Sequence, residues 1–162
     1  NLSEVKNYES LLIDRYSIPN IKNSITEVKK SGVFVVQAGY EYPIDYEIDF
    51  LVVSKDEIDV IEAENLLSND IVSRILLTHS NLPARLISKE GVVEITPPDF
   101  KTINATGAGD VTAAYVAANG VGDIISTIKS ACAAGAILAG TTELPTLEKI
   151  SEISELVDVT PR

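Results

Sequence analysis

The stretch NATGAGD, residues 104–110, puts two glycines, an alanine and an acid immediately before an alanine-rich run with helical character. A helix start leaves several backbone N–H groups without carbonyl partners and carries partial positive charge, so anions are held there. Gly107 and Gly109 have no side chain to block phosphate oxygens and Ala108 adds little bulk. Three consecutive amides therefore form a candidate anion hole that needs no Lys or Arg. Asp110, next in line, is suited to accept a hydroxyl proton late in phosphoryl transfer to an alcohol, where positioning and charge stabilisation do most of the work. The alternative is that Asp110 only caps the helix and the glycines only turn the chain. Two familiar phosphate loops do not match. No Gly-Lys-Ser/Thr follows a glycine at Walker spacing, and GAGDVT places Thr112 where a dinucleotide fingerprint has its third glycine.

The elements around this loop follow from apolar spacing and turn residues. SITEVKKSG reads as a helix with Ser24 as N-cap, Glu27 in the capping-box position and Gly32 as the stop. VFVVQAG and FLVVS read as buried strands of a parallel sheet, separated by the Pro-containing loop YEYPIDYEID. KDEIDVIEAENLL carries Ile58, Ile61, Ala63, Leu66 and Leu67 at loosely helical spacing. ILLTH, ARLIS and VVEIT, with turn residues in SNLP and KEG, predict a hairpin or meander. From Asp110 to the end the pattern is helical, in DVTAAYVAANG, DIISTIKSACAAGAILAG and TLEKISEISEL. The small residues of the second predict either close helix packing or the approach of a flat ligand. Strands alternating with helices, then helices alone, make this a layered α/β domain.

The chain has 162 residues, 45% of them hydrophobic, enough for one domain with a core. Its 13 Lys and Arg against 24 Asp and Glu give a net charge of -11, which argues against nucleic acid or an anionic membrane as partner. Any bound anion must be held by a local device. The single cysteine, Cys132, makes neither an internal disulfide nor a cysteine zinc cage, and a reducing cytoplasm is the expected location. No apolar run is expected to reach the roughly 18 residues of a membrane span. The chain holds no Met and opens on Asn1, so a piece of a longer protein, or a processed product, is expected. His79 without a partner acid reads as a loop residue or a nucleotide contact.

NATGAGDVTAAY resembles the second signature of the ribokinase-like, or PfkB, sugar and nucleoside kinases, written D-T-T-G-A-G-D before a small-residue helix. LLIDRYSIP, ITEVKKSGVFVV and FLVVSKDEI fall in the order of that family's mid-chain strand, helix, strand and N-x-x-E segment. ILLTHSNLPARLI resembles its T-x-G-x-x-G turn, and SACAAGAILAG its Ala-rich helix beside adenine. The resemblance implies a ribokinase-like fold, a mostly parallel sheet flanked by helices with a β-meander near the nucleotide. Residues 1–162 would form the nucleotide-binding and catalytic portion, without the N-terminal substrate and lid portion. It implies transfer of the γ-phosphate of Mg-ATP to a hydroxyl of a small sugar or nucleoside, with Asp110 as base and the 107–109 amides as anion hole. Thr78, Ser80 and Cys132 would lie near the nucleotide, Glu57 would organise Mg²⁺ through water and phosphate, and Asn104 and Thr106 would lie near a monovalent-cation site.

The sequence departs from the family pattern at several of these places. Ser54 replaces the Asn of N-x-x-E, Ser80 and Pro83 replace both glycines of the turn, Asn104 replaces an Asp, and Glu143 stands where the cation loop has a glycine. Tyr16 stands about where a sugar-contacting acid belongs, which argues against ribose. Open alternatives are a non-catalytic nucleotide-binding or regulatory subunit and an ADP-dependent kinase of the same fold. A second chain supplying the N-terminal half, or a homo-oligomer, is the expected macromolecular partner.

Overall fold

Apolar runs that lack a polar face become inner strands, and the strand Ile48–Ser54 is the plainest case. Phe50, Leu51, Val52 and Val53 are all buried. Phe50 and Val52 join one core, Leu51 and Val53 the other, as a period of two requires when both faces of a sheet are covered. In the computed structural model, which describes residues 2–80 and 82–162, the sheet has seven strands in chain order. β1 (Ser10–Asp14), β2 (Phe34–Ala38), β3 (Ile48–Ser54) and β4 (Val72–His79) are parallel. β5 (Leu82–Ser88), β6 (Gly91–Thr96) and β7 (Asp158–Pro161) continue it antiparallel. The expected SNLP turn includes Asn81, which lies outside the described residues, as does Asn1.

Helices α1 (Ile18–Lys30) and α2 (Val60–Ser68) bury Ile25, Val28, Leu66 and Leu67 on one face. On the other, α3 (Ala108–Asn119), α4 (Ile124–Thr141) and α5 (Leu147–Ser154) bury Val116, Ile128, Ile150 and Ile153. The expected layered architecture and meander are present. β2 and β3 are joined by a loop whose Ile44 and Tyr46 are buried. There the Tyr46 hydroxyl donates to Gln37 Oε1 at 2.8 Å, and Gln37 Nε2 donates to the Gly39 carbonyl at 2.9 Å. This fully buried Gln37 fixes the turn that leaves β2.

Four expectations are corrected. α1 begins at Ile18, leaving Ser24 inside the helix. Pro19 sits in its first turn, and the Asp14 carboxylate accepts the N–H groups of Tyr16 and Ser17 at 2.8 and 3.0 Å, which fixes the turn leading into the helix. α2 begins at Val60, where Asp59 accepts the Glu62 N–H at 2.8 Å. The chain does not stay helical to its end: β7 pairs with β6, and Arg162 bonds Glu94. Finally, α4 does reach the length and composition of a membrane span, 18 residues at mean hydropathy 1.4. Its place explains that composition, because Ile128, Ala131, Ala133 and Ala134 are sealed in the core.

Candidate functional site

The carboxyl ends of β1 to β4 meet the start of α3 around two connected cavities. The smaller, of about 240 Å³, is walled by Asp14, Arg15, Gly39, Glu57, Gly109 and Asp110 among others. The larger, of about 690 Å³, runs between the β4–β5 turn, the 97–102 segment and α4. Ser54, Thr78 and Gly109 line both, so the space is continuous. Binding at the carboxyl edge is the rule for open α/β sheets.

α3 starts at Gly107, whose φ of +82° is left-handed and favours glycine. The Ala108 N–H donates to the Ala105 carbonyl at 3.1 Å, so it is not the free donor that the sequence reading expects. The N–H groups of Gly107, Gly109 and Asp110 have no acceptor among the described residues. A Cβ added at Gly109 would meet nothing within 4 Å, which leaves the approach to this turn open. Asp110 is exposed and lines the smaller cavity.

Close packing of α3 on α4 sets the position of this turn. A Cβ on Gly135 would fall 2.4 Å from Thr112 Oγ1 and 3.1 Å from the Ala108 carbonyl oxygen, so only glycine permits this approach. The Thr112 hydroxyl in turn donates to that carbonyl at 2.8 Å. The close-packing reading of the small-residue helix holds, and another of its faces lines open space. Cys132, Gly135, Ala136 and Ala139, at i, i+3, i+4 and i+7, line the larger cavity, whereas Ala131, Ala133 and Ala134 pack inward. Burial pushes the Cys132 thiol up to about 12, so it stays neutral.

Thr78 Oγ1 donates to the Val53 carbonyl at 3.2 Å. Ser80, at φ +47°, adopts the left-handed conformation natural to a glycine and lines the larger cavity with His79. Asn104 and Thr106 line neither cavity. The Asn104 side chain accepts the Thr106 N–H at 2.9 Å, and its own N–H donates to the Ala139 carbonyl at 3.0 Å, tying this loop to the end of α4.

Glu57 is already engaged. Its Oε2 accepts the Ser54 N–H at 3.0 Å and its Oε1 accepts from Arg15 Nη1. No group of three or more His, Cys, Asp or Glu among the described residues could hold a metal. One carboxylate fits a hydrated Mg²⁺ carried on phosphates better than an all-protein cage. Arg15, not singled out from sequence, also donates through Nη2 to the Tyr16 hydroxyl at 3.0 Å and lies 5.0 Å from the Tyr16 ring centre. The available signal was a cation following the acid at the end of a strand in a strongly acidic chain.

A seven-stranded, partly parallel sheet flanked by helices on both faces is the fold of the ribokinase-like kinases. The chain belongs, more closely, to the pfkB family carbohydrate kinases, whose pattern matches residues 35–148, more than half of its length. Among solved structures it is similar to a candidate phosphofructokinase from Staphylococcus aureus, with 24% identity over 99% of this chain and 61% of that one, at TM-score 0.81. Arabidopsis thaliana ribokinase complexed with ribose and ATP has 19% identity over 93% and 57% of the two chains, at TM-score 0.76. Escherichia coli phosphofructokinase-2 in complex with potassium has 15% identity over 91% and 56%, at TM-score 0.74. The chain thus spans less than two thirds of the length of these structures. No curated protein matches it.

Proposed function

We propose that this chain carries the nucleotide-binding and catalytic portion of a kinase that moves the γ-phosphate of Mg-ATP to a hydroxyl of a small sugar or nucleoside. The observation that carries this reading is that the unengaged amides of Gly109 and Asp110 share one continuous space with an exposed carboxylate and a groove of nucleotide size, with the unengaged amide of Gly107 next to them in the chain. The nucleoside lies along the Cys132 to Ala139 stripe, with Thr78 and Ser80 at its other side. The amides and the α3 dipole hold the phosphoryl oxygens, which a net charge of -11 would otherwise repel. Mg²⁺, when bound, offsets phosphate charge. Glu57 orients its water shell, and Asp110 takes the acceptor's proton. A monovalent cation beside the loop of Asn104 and Thr106 would steady the anion hole. Family membership and the ribokinase-like fold support the reaction class.

The test assays the full-length gene product, wild type and Asp110→Asn, with ATP or ADP across a panel of sugars and nucleosides. Loss of a general base lowers turnover by about 10² to 10⁴-fold. The account predicts that loss in the variant, with ATP affinity nearly unchanged. Wild-type binding without turnover supports a non-catalytic subunit instead, and turnover from ADP alone reassigns the donor. A wild-type protein that neither binds nucleotide nor gains stability from it overturns the proposal.

A further inference from the structure

Resting on the kinase reading above, we propose that Arg15 is the side chain that grips the terminal phosphate of the bound triphosphate, and that Glu57 holds it in reserve until the nucleotide arrives. Arg15 is the one cationic side chain walling the smaller cavity, among the described residues, and it shares that wall with Gly109 and Asp110. Its backbone is firmly placed. The Arg15 N–H donates to the Ala38 carbonyl at 3.2 Å, and the Asp14 carboxylate takes the two amides that follow. The stem passes over Gly39, where a Cβ would lie 3.2 Å from Arg15 Cδ and 3.4 Å from Glu57 Oε1. The left-handed φ of +79° at Gly39 keeps a glycine there, and with it the path of the stem.

The guanidinium is held by exchangeable contacts. The Arg15 and Glu57 side chains keep 36% and 26% of their exposure, so the pair is partly open to water and contributes little to stability. A terminal phosphate offers the planar fork two charged oxygens at once, a stronger partner than one oxygen of a carboxylate whose other oxygen already accepts the Ser54 amide. Exchange satisfies the guanidinium on phosphate and returns Glu57 Oε1 to the water around the phosphates. No bond is made or broken in this step.

The test measures equilibrium binding of adenylyl imidodiphosphate, a non-hydrolysable triphosphate, and of ADP to the full-length gene product in EDTA, without metal. Removing one charged hydrogen-bond partner costs about tenfold or more in affinity. Arg15→Ala is expected to weaken the triphosphate by that factor and ADP by less than about threefold, with Arg15→Lys recovering part of the loss. Glu57→Gln, which removes the competitor, is expected to tighten the triphosphate. Thermal melts without ligand separate folding from binding, and where Arg15→Ala melts low, Arg15→Lys decides. Equal losses for both nucleotides, unchanged binding in Arg15→Ala, or weaker triphosphate binding in Glu57→Gln would overturn the role of Arg15. Wild-type protein that binds neither nucleotide overturns the kinase reading itself.

Discussion

At the residue scale, Gly109 separates ligand binding from folding. A Cβ there meets nothing within 4 Å beyond its own turn of helix, so added bulk projects into the open space where a ligand would sit. Gly109→Val is therefore expected to leave the melting temperature of the free protein nearly unchanged while weakening ATP about tenfold or more, measured by calorimetric titration. Equal ATP affinity in the variant would show that the turn holds no phosphate. The loop was legible in sequence because its seven residues act through their own backbone, so the local order of Gly, Ala, Gly and Asp carries the information. Arg15 was not, since its partner Glu57 lies 42 residues away and only the sheet brings them together. The engaged amide of Ala108 was also hidden, because that bond depends on the conformation of residues 105–107.

At the element scale, α3 is aimed by its contact with α4. A Cβ at position 135 must displace the Thr112 hydroxyl and crowd the Ala108 carbonyl, and such overpacking costs about 1–3 kcal/mol. Gly135→Ala is expected to lower stability by this amount in denaturant unfolding and to weaken ATP, since Ala108 belongs to the anion turn. Adding Thr112→Ala removes the nearer clash and should restore much of both. No recovery in the double variant would mean that the two helices are coupled elsewhere. Strands such as β3 were legible because a run of apolar residues fits only an inner position. The start of α1 was not. Pro19 and the turn that Asp14 holds outweigh the Ser24 signal, and that carboxylate comes from the preceding strand. β7 was missed because a four-residue strand owes its existence to the edge of β6 rather than to its own pattern.

At the scale of the whole molecule, stability against acid depends partly on Asp14. Its hydrogen bond from the Ser17 side chain holds its carboxyl below the ordinary 3.8, with help from the Tyr16 and Ser17 amides and against the opposing effect of burial. A depressed folded pKa contributes stability that is present above the unfolded value and is lost as pH falls through the folded one. Asp14→Ala is expected to melt lower than wild type near neutrality, with the two melting curves converging as pH falls below about 4. Parallel curves down to strongly acidic pH would show that the Asp14 hydrogen bonds are not made in solution. The overall architecture was legible because composition, apolar runs and the order of elements all point to one layered fold. The large apolar share of α4 was understandable only once both of its faces were seen, one in the core and one along the cavity.

The central claim is that backbone amides at the start of α3 hold the phosphates beside Asp110. The most direct measurement is the amide nuclear magnetic resonance of Gly107, Gly109 and Asp110 during separate titrations with ATP and adenosine. The account predicts large shifts of these three signals with ATP and small ones with adenosine, and little response from Ala108. Unmoved signals at saturating ATP, or equal shifts with both ligands, would contradict it.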